Sequence, residues 1–375
     1  MSAATRHIRA GFIPLLDAAP LIVAREQGFA EAEGIDLTLV RETSWASLRD
    51  RVAVGHFEAA HMLAPMAIAG SLALPPLPVP FIAPVAFGAG RNAITISQDM
   101  REMMGLEDDA APLEAADAVA RLATAKRAQM PDRPLVFAAV HAYSAHAALL
   151  RYWLAEGGLY TGTDVRLEFV PPPFMADALA AGMVDGCCVG EPWSSVAFKA
   201  GVGHILVAGD DIWPAGPDKV LGLRADWAAE NEDMALRLVR ALVAAAHWAD
   251  DPAHTDDLAA MLAEARYLDK ARDVLLPGLT GRLASSGAGF ARGDASRPEP
   301  AHAAWFATQM ARWGDIDLTP EALAAATATY RPDIYAAALG DNARTGETPR
   351  TVTLFDGRIF DPRDAAGYLA ALTAS

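Results

Sequence analysis

The sequence predicts an α/β protein of two lobes, and three observations carry that prediction. The chain has 375 residues, 53% of them apolar and 21% charged, enough for two cores and too balanced for a disordered or collagen-like chain. Apolar periodicity alternates between the two-residue repeat of strands and the 3.6-residue repeat of helices as far as Arg224. The strands fall into two blocks joined by crossovers, so that residues 1–91 with 220–375 make one lobe and residues 92–219 the other.

Ile8-Arg9-Ala10-Gly11-Phe12 reads as the first strand, and Asp17 as the N-cap of a helix closed near Gly28. Ile35 to Val40 is the next strand. Ser44 caps a helix running to about Ala53 and closed near Gly55, and Ala59-Ala60-His61-Met62 is a third strand, completing a βαβαβ unit with parallel pairing. A short helix around Met66 to Leu74 and an extended crossover follow. The second block opens with the strand Asn92-Ala93-Ile94-Thr95-Ile96, passes through a helix around Ala111 to Ala128 and reaches a strand over Leu135 to Val140. Ser144 is the N-cap of a helix whose apolar stripe is Leu149, Leu150, Trp153 and Leu154 and which Gly157-Gly158 closes. Val165 to Val170, a helix over Met175 to Gly182, the strand Cys187 to Val189, the turn Gly190-Glu191-Pro192-Trp193 and the strand Ile205 to Ala208 complete this block. Val220 to Arg224 is a strand that returns the chain to the first lobe. Beyond it Ala229 to Ala249, Asp256 to Tyr267 and Ala301 to Trp313 carry helical periodicity, and Gly281 to Pro300 is a Gly/Ser/Pro/Arg-rich loop.

Composition excludes several classes of function. Lys and Arg number 31 against 47 Asp and Glu, and the formal charge of −16 argues against direct capture of nucleic-acid phosphates. Cys187 and Cys188 are the only cysteines, and adjacent residues do not meet the geometry of an ordinary structural disulfide. With no Cys/His ligand spacing, neither a metal nor a cofactor is expected, and the Cys pair reads as two small hydrophobes in a buried strand. No activated nucleophile, phosphate loop or spaced carboxylate pair is visible, so no catalytic residue is expected and the chain is not read as an enzyme. Met62 to Gly90 has no ionisable side chain and is long enough to cross a bilayer, but Pro65, Pro75, Pro76, Pro78, Pro80 and Pro84 break any such helix. No secretory apolar region follows Arg6, His7 and Arg9, so a cytoplasmic location is expected.

In a two-lobed α/β protein, polar groups gather where strand carboxyl ends and helix N-termini face each other across the cleft. The stretches to weigh there are Gly11 to Pro20, Arg41 to Asp50, Ala60 to Met66, His146 to Trp153, Asp185 to Trp193 and Pro217 to Gly222. In this order they resemble the NrtA/CmpA-like nitrate- and bicarbonate-binding proteins of bacterial ABC uptake systems. The resemblance implies a two-lobe periplasmic-binding-protein-like fold of type II with a small planar oxyanion in the interlobe cleft. By the same resemblance Trp45 lies against the anion, and its indole N–H donates without being able to accept. Asn92 supplies an amide donor. His146 sits in the first turn of its helix, where unpaired N–H groups and the dipole favour an anion. Gly190, lacking a Cβ, lets the ligand reach the backbone N–H, and Lys219 brings the full positive charge. Glu191 is the awkward member, because a carboxylate beside an anion repels it unless it pairs with Lys219 or His146 or binds a cation. Bicarbonate-binding relatives hold a calcium ion with acidic groups. No further acidic cluster accompanies these motifs here, so a metal-free nitrate or nitrite site is expected.

Within that family the chain is similar to the cytoplasmic nitrate/nitrite sensor NasS, which holds the RNA-binding antiterminator NasT inactive until the anion arrives. The expectation is a positively polarised pocket between hinged lobes that binds nitrate or nitrite. A NasT-like protein would be its partner, with no direct nucleic-acid contact and no membrane insertion. The alternative is the periplasmic solute-binding protein of a nitrate or bicarbonate ABC transporter. Two further relatives of this fold stay open: the enzyme that makes the pyrimidine precursor of thiamine, and the sulfonate-binding proteins.

Overall fold

A computed structural model of the chain describes residues 6–76, 78–107, 110–281, 289–340 and 351–374. The strands β1 (Arg6–Phe12), β2 (Ile35–Arg41), β3 (Ala59–Leu63) and β4 (Phe81–Ile82) precede a second group, β5 (Asn92–Ser97), β6 (Leu135–Ala139), β7 (Val165–Phe169), β8 (Gly186–Gly190) and β9 (Gly203–Ala208). After β10 (Lys219–Arg224), only the short strands β11 (Val352–Thr353) and β12 (Ile359–Phe360) follow among the described residues. One five-stranded sheet has the order β2-β1-β3-β10-β4 and the other β7-β6-β8-β5-β9. β1 pairs in parallel with β2 and β3, as the βαβ pattern requires, while β10 returns antiparallel to β3.

Burial explains the register. Ile8, Ala10 and Phe12 of β1 point into one core, and β3 is buried along its whole length because helices cover both faces of the sheet. The helix Glu232–Asp250 buries Leu238, Val239, Leu242, Val243 and Ala246 and packs against the helix Ala19–Glu26. Each fully buried aliphatic side chain of this stripe contributes about 1.5–3 kcal/mol. In the second unit Ser144 Oγ accepts from Ala147 N at 3.0 Å and caps the helix Ala145–Glu156, whose Leu149, Leu150, Trp153 and Leu154 are all buried. That helix begins where the sequence places it.

The chain leaves the first sheet through residues 83–91 and comes back through residues 209–218. The two crossovers touch where Gly90 N donates to Gly216 O at 3.0 Å. The helix Ala64–Ser71 is followed by turns and by the two-residue strand Phe81–Ile82, and no helix among the described residues is long and apolar enough to cross a membrane.

Three features differ from the sequence reading. Asp17 is not an N-cap: it lies in the 3₁₀ turn Leu16–Ala18, and its carboxylate turns inward to Lys219, a stronger partner than a backbone N–H. A helix over Arg272–Thr280 was not expected, since Pro277 lies inside it and only Leu275 and Gly278 are buried. The C-terminal residues, assigned in the sequence to the first lobe with all of 220–375, lie against both units. The helix Pro300–Arg312 packs on Ala64–Ser71 and also on Ala145–Glu156. Farther on, Phe355 N donates to Ile212 O at 2.9 Å, and Tyr152 OH donates to Asp356 Oδ2 at 2.7 Å. Of the loop expected over Gly281 to Pro300, residues 282–288 lie outside the described residues, and the rest contains a 3₁₀ turn at Arg292–Asp294.

Candidate functional site

The ends of both sheets bring a set of polar side chains to one buried point. From the first unit come Asp17, Trp45 at the start of the helix Trp45–Ala53, His61 in the middle of β3, and Asp218 and Lys219 where β10 begins. From the second come Asn92 at the start of β5, Gly190 at the end of β8 and His146 in the first turn of its helix. Register places them: Asn92 pairs directly with Gly190 in the antiparallel β5–β8 ladder, and Leu221 of β10 opposes His61.

Lys219 lies at the centre and is 1% exposed. Its Nζ donates to Asp17 Oδ2 at 2.8 Å and to Asp218 Oδ2 at 2.5 Å, and stands 5.6 Å from the Trp45 ring centroid. His61 Nε2 lies 2.9 Å from Asp17 Oδ1, and the His61 and Trp45 rings are 5.6 Å apart. The same Asp218 Oδ2 accepts from Asn92 Nδ2 at 3.3 Å and has His146 Nε2 at 3.3 Å, within ion-pair distance but off hydrogen-bond alignment. A Cβ built on Gly190 would sit 3.5 Å from His146 Nε2. The five residues expected to touch an anion therefore converge.

Electrostatics correct one expectation. The point of convergence is not simply positive, because the ammonium is shared between two carboxylates. A buried unpaired ammonium is strongly disfavoured by desolvation, so the fold supplies counter-charges. Burial pulls the Lys219 pKa down, but Asp17 and Asp218 more than offset this and leave it raised. Burial likewise pushes the Asp17 carboxyl up, and Lys219 and His61 reverse that and hold it well below the usual range. Burial depresses His146 to about 4 despite Asp218, so its imidazole is neutral at physiological pH.

Glu191 pairs with neither Lys219 nor His146, contrary to the options its sequence position offered. Its Oε2 accepts from Ser195 N at 3.3 Å, Arg91 is its charged neighbour, and its backbone carbonyl accepts from Leu16 N of the first unit at 2.8 Å. Burial raises its pKa to about 7. Cys187 and Cys188 are buried in β8, where burial pushes the Cys187 thiol to about 12 and Cys188 also well up, in keeping with small hydrophobes and not reactive thiols.

Sequence reasoning missed Asp17, His61 and Asp218 as members of the cluster. A signal existed for two of them. His61 is the one titratable residue in an otherwise apolar central strand and needed a buried partner, and Asp218 stands beside Lys219 in a crossover that both units share. Several buried polar atoms here have no hydrogen-bond partner among the described residues, including Trp45 Nε1, His146 Nδ1 and Asp218 Oδ1.

With this geometry in view, similarity to known proteins can be weighed. The model described as the NMT1-like family matches residues 2–263. The chain belongs to this family. Among NMT1-like relatives, the nitrate/nitrite binding protein NrtA of Synechococcus elongatus is 30% identical over 98% of this chain and 86% of its own length. The nitrate import ATP-binding protein NrtC of Synechocystis is 34% identical over 97% of this chain but 54% of its own length. The bicarbonate transport ATP-binding protein CmpC of Synechococcus elongatus is 32% identical over 98% and 55%. The chain thus spans about half the length of NrtC and CmpC. The crystal structure of the periplasmic nitrate-binding protein NrtA from Synechocystis superposes with a TM-score of 0.87 at 27% identity, covering 98% of both chains. The alkanesulfonate-binding protein SsuA of Xanthomonas axonopodis shares the fold alone, with a TM-score of 0.59 at 16% identity over 82% of this chain and 94% of its own. This NMT1-like chain has the two-lobed type II periplasmic-binding-protein fold, and its resemblance to NrtA/CmpA-like proteins extends over nearly its whole length.

Proposed function

We propose that this chain binds nitrate or nitrite at the Lys219 cluster. One observation carries the reading: Trp45, Asn92, His146, Gly190 and Lys219, drawn from both units, converge on one buried point in a chain similar to a nitrate-binding protein over 98% of its length. Nitrate and nitrite offer only acceptors. Trp45 Nε1–H has no acceptor among the described residues, Lys219 and Asn92 supply further N–H groups, and neutral His146 donates in its Nε2–H tautomer. Glu191 is largely protonated below about pH 7, which lessens its repulsion of an anion. A four-atom ion at a ceiling of roughly 1.5 kcal/mol per atom gains about 6 kcal/mol, a Kd on the order of tens of micromolar.

The finer reading is a cytoplasmic nitrate/nitrite sensor that sequesters a NasT-like RNA-binding antiterminator and releases it when the anion binds. That reading rests on the sequence alone. The coupling would equal the difference in the anion's affinity for the free and partner-bound forms. The alternative, the solute-binding protein of a nitrate or bicarbonate ABC transporter, has the relatives' transport names in its favour and would use the same site. Calorimetric titration with nitrate, nitrite and bicarbonate, each with and without calcium, tests the solute. Calcium-independent nitrate and nitrite heats that Lys219→Ala and His146→Ala abolish are expected, and equal affinity in those variants rejects the site. For the partner, a co-purified antiterminator should dissociate on adding nitrate; retention at saturating nitrate rejects the sensor.

A further inference from the structure

The side chain that holds most of the expected anion donors in this structure belongs to the protein. Asp218 Oδ2 takes Lys219 Nζ at 2.5 Å and Asn92 Nδ2 at 3.3 Å, with His146 Nε2 also at 3.3 Å. A carboxylate is a planar oxyanion, so it offers these groups the same charge and acceptor geometry as a small inorganic anion. Asp218 is also buried and bridges the units, because Lys219 lies in the first sheet while Asn92 lies in the second sheet and His146 in the helix Ala145–Glu156 of that unit. Its own backbone carbonyl is anchored to the first unit by Ala64 N at 3.0 Å.

We propose that Asp218 is an internal competitor for the anion site, so that an entering oxyanion binds by taking over the donors that this carboxylate holds. The inference rests on the reading of the Lys219 cluster as an anion site. Asp218 is an imperfect occupant. It leaves His146 Nε2 off hydrogen-bond alignment and does not reach Trp45 Nε1, and among the described residues neither its own Oδ1 nor Trp45 Nε1 has a hydrogen-bond partner. An ion with three oxygens can serve more of this donor set than one carboxylate oxygen does. Lys219 keeps Asp17 at 2.8 Å when Asp218 withdraws, so the buried ammonium stays paired throughout the exchange. Asp218 also ends the crossover 209–218, whose Gly216 O accepts from Gly90 N of the other crossover. Exchange at the site is thereby transmitted to both connections between the units.

Asp218 then sets selectivity and apparent affinity together. A weakly basic anion must displace a carboxylate already in hydrogen-bond contact, so the measured affinity is lower than the bare donor set would give. Calorimetric titration of the full chain with sodium nitrate and, separately, sodium formate, on wild type, Asp218→Asn and Asp218→Ala, tests this. Nitrate Kd is expected to fall about tenfold or more in both variants, and formate, a one-carbon carboxylate, is expected to bind Asp218→Ala and not wild type. Wild-type nitrate binding with unchanged or weaker binding in both variants overturns the competitor and leaves the anion site standing. Formate binding to Asp218→Ala without nitrate, nitrite or bicarbonate binding to any form supports the competitor and overturns the proposed solute. Failure of every anion with all three proteins, each with wild-type circular dichroism, overturns both. Asp218→Asn keeps the size of the side chain and the Asp17 partner of Lys219, and serves as the folded variant if Asp218→Ala does not fold.

Discussion

At the scale of single residues, Gly190 is where one added methyl group tests the site most sparingly. A Cβ there would lie 3.2 Å from Leu15 Cδ2 and 3.5 Å from His146 Nε2, close enough to crowd the anion but not to force backbone movement. Gly190→Ala is expected to weaken nitrate binding about tenfold or more at a stability loss of about 1 kcal/mol, the low end of the roughly 1–3 kcal/mol that overpacking of a tight core costs, because the Leu15 side chain can shift by a few tenths of an ångström. Calorimetry paired with urea denaturation checks both halves. Glu191 supplies a pH prediction. Its pKa rises from an ordinary 4.5 to about 7 in the fold, chiefly through burial and against the opposing pull of Ser195 and Arg91. Between those values the folded chain binds more protons than the unfolded one, so this group's contribution falls as pH rises through the window, by about 3 kcal/mol in all. Glu191→Gln should match wild type near pH 4 and exceed it by up to about 3 kcal/mol at pH 8 in urea denaturation, whereas parallel pH curves would exclude the assignment. His146, depressed to about 4, acts with the opposite sign but is common to both proteins and cancels in the comparison. That Trp45, Asn92, His146, Gly190 and Lys219 come together was legible through their motifs. The pairing of Lys219 with Asp17 and Asp218 was not, because a buried ion's choice of counter-charge is made by tertiary packing across positions as far apart as 17 and 219.

At the scale of elements, the helix Ala145–Glu156 shows what makes a segment readable. Ser144 caps it, the buried stripe runs at helical spacing, and Gly157-Gly158 ends it, so the local signals agree. Ser144→Ala should cost about 1 kcal/mol, the usual value of an N-cap, and weaken nitrate binding as well, because His146 stands two residues into the helix. Equal denaturation midpoints for the variant and wild type would show that the cap does not hold this end. The helix Arg272–Thr280 was illegible for the opposite reason. Pro277 interrupts its pattern, and its packing is specific: a Cβ on Gly278 would lie 2.6 Å from Leu16 Cδ1 and 3.3 Å from Glu191 Cβ. The later helices Pro320–Thr329 and Pro332–Leu339 carry proline in their first turns, a start signal that the sequence reading did not use.

At the scale of the whole molecule, two blocks of strands were legible because their strands are apolar or alternating runs between turn signals. The C-terminal strap was not, since it is held by contacts between distant positions, such as Tyr152 OH with Tyr368 OH at 3.1 Å and the Tyr152 ring tilted against Trp305 with centroids 5.9 Å apart. The units also meet through Trp193 Nε1 donating to Pro14 O at 3.0 Å and Leu16 N to Glu191 O at 2.8 Å, both beside the cluster. A ligand bound between them stabilises the arrangement by linkage. Nitrate at about a hundredfold its Kd should raise unfolding free energy by about 2.7 kcal/mol, with or without a chelator. A chelator-sensitive gain would mean that a cation takes part.

The central claim is a place, so the most direct measurement is a crystal structure of the chain grown with saturating nitrate. The account predicts flat, four-atom density in contact with Trp45 Nε1, Lys219 Nζ and His146 Nε2. Undisturbed contacts from Asp218 to Lys219, Asn92 and His146, with the anion elsewhere or nowhere, would contradict it.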